Sequence, residues 1–103
     1  MSDALNQVEY TSVGGSRSEP SLRLYSLSTC AFCRRAMKYL GEHGFSYQYV
    51  QLDQIDFELK REVKKELKSR YQNVPVFPIL TIDDREAISG FVEDRWAERL
   101  GLS

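Results

Sequence analysis

The only two cysteines of the chain stand three positions apart, in Cys30-Ala31-Phe32-Cys33. Thiols at this spacing on a helix lie one turn apart, close enough to close a disulfide, and one can attack while the other resolves. The residues before them, Leu22 to Leu27, alternate apolar and polar as a strand does, and Ser28-Thr29 supplies hydroxyls suited to a turn or a helix N-cap. A helix follows, with Cys33, Ala36, Met37 and Leu40 on one face and Arg34, Arg35 and Lys38 around it. Cys30 then sits at the helix start, where unpaired backbone N–H groups and the helix dipole favour an anion. Arg34 and Arg35 add positive charge. Cys33, one turn further in, packs toward the core. The pattern makes Cys30 the exposed attacker and Cys33 the resolving thiol.

A free thiol of pKa about 8.5 is only about 3% thiolate at pH 7, and lowering the pKa by about three units raises that fraction roughly thirtyfold. Intrinsic nucleophilicity falls at the same time with a slope of about 0.4–0.5, which nearly cancels the gain. Anion stabilisation at the helix start therefore matters chiefly when Cys30 must leave a mixed disulfide. Other uses of two thiols need more ligands. A structural zinc site takes four, and this chain offers two cysteines and His43, which falls near the far end of the helix. A cluster bridged between two chains would find its four thiolates, two from each. A third alternative is an interaction module that kept the fold and lost turnover.

These thiols need elements to hold them. Gly41 and Gly44 offer a cap for the end of the first helix, and Phe45 to Leu52, aromatic and β-branched, predicts a second strand. Asp53 or Asp56 can cap a longer helix ending near Tyr71. Its apolar stripe is Ile55, Leu59, Val63 and Leu67, with Glu58, Arg61, Glu62, Lys65, Glu66 and Arg70 at pairing distances on its surface. From Glu58 to Arg70, six basic side chains face three acidic ones, a solvated face able to steer an acidic partner. Ile79 to Ile82 predicts a strand, Asp83-Asp84-Arg85 a turn, and Glu86 to Ile88 a short strand. The last helix is expected to bury Val92, Trp96 and Leu100. The order β-α-β-α-β-β-α, with a parallel first pair and a closing hairpin, implies an α/β fold: a mixed four-stranded sheet flanked by three helices. Residues 1–20 lack periodicity, contain Gly14-Gly15-Ser16, and predict a flexible tail ending at Pro20, with the folded domain spanning 21–103.

At 103 residues there is room for one domain. The chain is 42% hydrophobic and 28% charged, the balance of a soluble globular protein. A net charge of −1 argues against a general nucleic-acid or membrane-surface binder. No run of eighteen apolar residues is present, and the N-terminus lacks a basic start followed by an apolar stretch. The expectation is a cytoplasmic protein, in which a cysteine pair is more often catalytic or metal-binding than structural.

From Leu22 to Leu100 the chain resembles a glutaredoxin. The features that carry this are a strand, Ser28-Thr29-Cys30-x-x-Cys33 opening a helix, a proline opening a later strand, and Gly90-Phe91 before the last helix. The resemblance implies the thioredoxin/glutaredoxin fold, a dithiol–disulfide oxidoreductase activity, and a cis-proline opposite the cysteines. Of Pro75 and Pro78, the latter directly precedes the strand Ile79 to Ile82, where proline is tolerated, so the cis bond is expected at Phe77–Pro78. The family implies that the Phe77 backbone pairs with an incoming disulfide substrate. Phe32, Phe77, Pro78, Gly90, Phe91 and Glu93 are the candidates for holding substrate or glutathione. Gly90 permits close backbone approach, and Phe91 with Glu93 and Asp94 resembles the segment that holds the γ-glutamyl group. A glycine turn, a core phenylalanine and acids at a helix N-terminus explain the same residues without a ligand.

Several positions depart from the family pattern. Leu27 stands where lysine is common, Ser89-Gly90 replaces Gly-Gly, Val92 replaces a polar residue, and Ala31-Phe32 replaces Pro-Tyr. These departures count against tight glutathione binding. Ser89-Gly90-Phe91 is similar to the glutaredoxin-like hydrogen donors of ribonucleotide reductase, which take electrons from thioredoxin reductase. The chain as a whole looks most like a group of glutaredoxin-like prokaryotic proteins. The implied cycle uses no bound cofactor and no metal. Cys30 attacks a disulfide-containing protein or a glutathione mixed disulfide, Cys33 resolves, and glutathione or a reductase restores the dithiol. A monomer with a potential of roughly −200 to −270 mV is expected. The alternative is a cysteine-ligated iron–sulfur cluster carrier bridging two chains.

Overall fold

The computed structural model describes residues 4–71 and 74–102. Its elements are α1 (Ala4–Gln7), β1 (Thr11–Val13), β2 (Leu22–Ser26), α2 (Ala31–Glu42), β3 (Tyr47–Gln51), α3 (Phe57–Tyr71), β4 (Ile79–Ile82), β5 (Glu86–Ser89) and α4 (Glu93–Arg99). A short 3-10 turn over Leu52–Gln54 joins β3 to α3. The strands pair in the order β1-β3-β2-β4-β5. The β2–β3 pair is parallel and the other three are antiparallel. The α/β fold class, the parallel first pair and the closing β4–β5 hairpin are therefore as the sequence implied, with one strand and one helix added.

The two-residue period of the strands divides the core in two. On one face, Leu22, Leu24, Leu80, Ile82 and Ile88 join Ala36 and Leu40 of α2 and Trp96 of α4. On the other, Tyr25, Val50 and Ile79 join Val63 and Leu67 of α3 together with Ala4, Leu5 and Val8. The stripe read along α3 is thus correct at its centre, where Val63 and Leu67 are buried. Asp56 caps this helix, its Oδ2 accepting from the N–H groups of Glu58 and Leu59.

The N-terminal segment corrects the sequence reading. It is not a flexible tail: from Ala4 onward it is folded onto the domain, while residues 1–3 lie outside the described residues. Leu5 is 2% exposed, and β1 pairs antiparallel with β3, Ser12 opposite Gln48. Gly15, expected within that flexible stretch, is closely packed. A Cβ there would meet the Gly44 carbonyl oxygen at 2.5 Å, so only glycine lets the two chain segments pass. Two further expectations fail on side-chain direction. Glu66, expected on the surface, is 8% exposed and accepts a 2.8 Å hydrogen bond from the Ala4 N–H. Val92, expected in the core, is the exposed N-cap residue of α4; Trp96 and Leu100 are buried as expected.

Candidate active site

The parallel strand β2 ends at Ser26 and the chain turns at once into α2. The Cys30 N–H closes that turn on the Leu27 carbonyl at 3.2 Å. Cys30, with extended backbone at φ −95 and ψ 114, is the N-cap residue of α2, a role the sequence left to Ser28-Thr29. Its Sγ does what a capping oxygen does elsewhere, accepting from the Cys33 N–H at 3.2 Å. Positive partial charge at the helix start is therefore directed at the sulfur of Cys30.

The two thiols differ in surroundings. Cys30 is partly exposed, whereas Cys33 is 1% exposed. Burial first and then the hydrogen bond to Cys30 push the Cys33 thiol up to about 12; a backbone hydrogen bond at Leu27 opposes this, and the charges of Cys30 and Arg34 add smaller influences of opposite sign. One sulfur thus faces solvent under a helix N-terminus while its neighbour keeps its proton.

The turn in front of Cys30 is clamped from the 3-10 turn that follows β3. The Asp53 carboxylate accepts from the Ser28 hydroxyl and, at 2.9 Å, from the Ser28 N–H. Gln54 Nε2 donates to the Ser28 hydroxyl oxygen at 3.3 Å and Arg34 donates to the Ser28 carbonyl at 3.4 Å. The two hydrogen bonds that Ser28 donates, from its hydroxyl first and then its N–H, hold the Asp53 carboxyl down at about 2. The sequence singled out neither partner for this role. They are 25 positions apart, and only the parallel β2–β3 pairing brings them together.

Pro78 follows a cis bond from Phe77, as expected, and is buried at the head of β4. Tyr25 pairs with Ile79, so continuing the register by one residue sets Pro78 opposite Ser26, at the end of the sheet where the Cys30 turn begins. Gly90 ties this corner together. Its N–H donates to the Pro78 carbonyl at 2.8 Å and its own carbonyl accepts from Trp96 Nε1 at 2.9 Å. Its φ of 81 lies in the left-handed region that favours glycine. Ser89 Oγ bonds both the N–H and the carbonyl of Val76, fixing the approach to Pro78.

The candidate binding residues fall in two places. Phe32, Phe91 and Glu93 line one open groove of about 550 Å³ with Arg35, Val92 and Asp94. Arg35, which the sequence treated only as a nearby charge, lies 5.6 Å from the Phe32 ring centroid. Phe91 also packs edge-on against Trp96 at 4.9 Å, so it serves the core and the groove together. Phe77 lines a different groove, beside α3. Cys30 and Cys33 line neither. Among the described residues no group of three or more His, Cys, Asp or Glu is placed to hold a metal ion.

A mixed sheet of this order defines the class, a thioredoxin-fold thiol protein. Its marks are a Cys-x-x-Cys opening the helix after a parallel strand and a cis-proline heading the neighbouring strand. The chain belongs to the glutaredoxin family, whose model matches residues 22–87, more than half of its length. Among solved structures it is similar to the glutaredoxin of Methanosarcina mazei Go1, at 31% identity and a TM-score of 0.78 over 91% of this chain and 89% of that one. It is equally similar to the methanoredoxin of Methanosarcina acetivorans, at 31% identity and a TM-score of 0.77 over 91% and 96%. The glutaredoxin of Archaeoglobus fulgidus, 22% identical with a TM-score of 0.69 over 82% and 89%, shares the fold. Comparison with curated proteins gives no match. The family supports thiol–disulfide oxidoreduction as the kind of activity. Among the described residues no helix is long and apolar enough to cross a membrane.

Proposed function

We propose that the protein is a dithiol–disulfide exchange enzyme in which Cys30 attacks and Cys33 resolves. The observation that carries this is the asymmetry of the pair, a helix-capping Cys30 sulfur beside a buried, protonated Cys33. The Cys30 thiolate attacks one sulfur of a substrate disulfide, forming a mixed disulfide and expelling the other sulfur as a thiolate. Two of the influences that hold the Cys33 proton come from Cys30 itself, its hydrogen bond and its charge. Both weaken once the Cys30 sulfur is bonded to substrate, so Cys33, still favoured as a thiol by burial, holds its proton less tightly and passes it to the departing substrate thiolate. It then attacks Cys30, the second substrate thiolate leaves, and the enzyme holds a Cys30–Cys33 disulfide with two electrons delivered. Glutathione or a reductase returns them.

On this reading the groove of Phe32, Phe91 and Glu93 receives the substrate beside the thiols, and the backbone around Phe77 and Pro78 pairs with it. No bound cofactor takes part, and the enzyme works as a single chain in the reducing cytoplasm. A cluster bridging two chains is not favoured, because Cys33 is buried and its burial opposes the thiolate a metal would need. The test is glutathione-driven reduction of a glutathionylated small disulfide and of a model disulfide peptide by wild type, Cys30→Ser and Cys33→Ser. Loss of both activities in Cys30→Ser, with Cys33→Ser accumulating a mixed disulfide with the peptide, is the expected result. A Cys33→Ser protein that traps nothing, beside a Cys30→Ser protein that still turns over, would reverse the roles.

A further inference from the structure

Lys64, Lys65 and Lys68 stand on adjacent turns of α3 and take no part in the dithiol chemistry. They rim a groove of about 430 Å³ whose apolar side is formed by Leu67, Pro75 and Phe77, among others. Among the described residues no acidic one lines it. The acids of the same helix do not neutralise it: Glu66 is turned inward under Ala4, and Glu58 and Glu62 lie outside the groove. Among the described residues the ion pairs belong to Arg23, Arg70 and Arg99, none to these lysines. The molecule as a whole carries a net charge of −1, so this basic rim is a local feature.

Its position matters as much as its charge. Lys64 Nζ lies 5.7 Å from the centroid of the Phe77 ring, and Phe77 immediately precedes the cis-proline at the head of β4. The groove therefore adjoins the edge on which, in the exchange reading above, a substrate chain is laid. We propose that it binds acidic residues flanking the target cysteine of a protein disulfide, and so selects acidic protein substrates. The inference rests on that exchange reading. An extended acidic segment leaving Phe77 would meet three ammonium groups above an apolar floor, with charge complementarity acting mainly on encounter rate and register.

The test uses the full chain and two disulfide peptides, alike except that glutamates flank the cysteine in one and glutamines in the other. The variant is Lys65→Glu/Lys68→Glu, which leaves Lys64 in place on Phe77. Wild type should favour the acidic peptide about tenfold in kcat/KM at low salt, and the preference should vanish near 1 M salt, where the screening length is about 3 Å. The variant should lose the preference while reducing neutral hydroxyethyl disulfide at the wild-type rate. Equal turnover of both peptides by wild type would overturn the proposal. So would a variant slowed on glutathione disulfide and unaffected on the acidic peptide, since the groove would then serve a small carboxylate. Competition by a single-stranded oligonucleotide but not by polyglutamate would overturn it in favour of a nucleic-acid surface. Should wild type reduce nothing at all, the exchange reading itself fails. Fluorescence anisotropy of a labelled, cysteine-free acidic peptide on wild type and variant then decides the groove separately, with binding lost in the variant expected and equal binding overturning it.

Discussion

At the scale of single residues, the two cysteines are set apart by burial. Folding holds the Cys33 proton, pushing the thiol up to about 12, through burial first and then through the hydrogen bond to Cys30. A group that binds its proton more tightly when folded contributes stability that is intact below its unfolded pKa and is lost as pH rises toward the folded one. The reduced protein should therefore lose stability from about pH 9 upward, and Cys33→Ala should flatten that decline. Urea unfolding of the reduced proteins between about pH 8 and 10 checks this. The tyrosines whose pKa values burial also raises, such as Tyr25 and Tyr47, are common to both proteins and cancel in the comparison. Parallel declines would mean that the environment of Cys33 does not favour its protonated form. Much of this site was legible in the sequence. The cysteines are close in sequence, and Pro78 is marked by the strand that follows it. The Ser28–Asp53 clamp was not, because the sequence offers each residue only a local capping role and the sheet alone makes them neighbours.

At the scale of elements, α2, α3 and α4 declare themselves through repeated apolar positions, whereas α1 and β1 are too short to show a period. Four helical residues cannot sustain a helix alone, because nucleation is costly and the hydrogen bonds are few. What holds α1 is tertiary: Leu5 and Val8 share the cluster of Val63 and Leu67, and the Ala4 N–H reaches Glu66. The same contact explains why Glu66 leaves the charged surface of α3. The alternation of charges along that helix predicted a surface residue, and a donor from sixty-two positions away draws it inward. Burial of a leucine contributes about 1.5–3 kcal/mol, and truncation also leaves a cavity. Leu5→Ala should therefore cost about 2–5 kcal/mol, as for a central core position. A urea midpoint equal to that of wild type would show the N-terminal segment to be an ornament on a self-sufficient domain.

At the scale of the whole molecule, one sheet is shared by two cores, and the site lies at the end of β2 and the head of β4, where both faces meet. Tyr25 and Leu24 are adjacent in β2 yet belong to opposite clusters, as do Ile79 and Leu80 in β4. Neither face can lose its packing without loosening the strands that the other needs, so the two should unfold together. Leu40→Ala opens a cavity on the α2/α4 side and Leu67→Ala one on the α1/α3 side, each costing about 2–5 kcal/mol. Because the two side chains share no cluster, their costs should add to within about 0.5 kcal/mol in the double variant. Urea unfolding followed by Trp96 fluorescence, which reports the α4 face, and by far-ultraviolet circular dichroism, which reports every element, should give one coincident transition in each variant. If the fluorescence of Leu67→Ala instead held steady while the dichroism fell, the α1/α3 layer would be a separate unit. The lysine groove and the Ser28–Asp53 clamp near the dithiol would then rest on a part of the protein that opens independently of the other core.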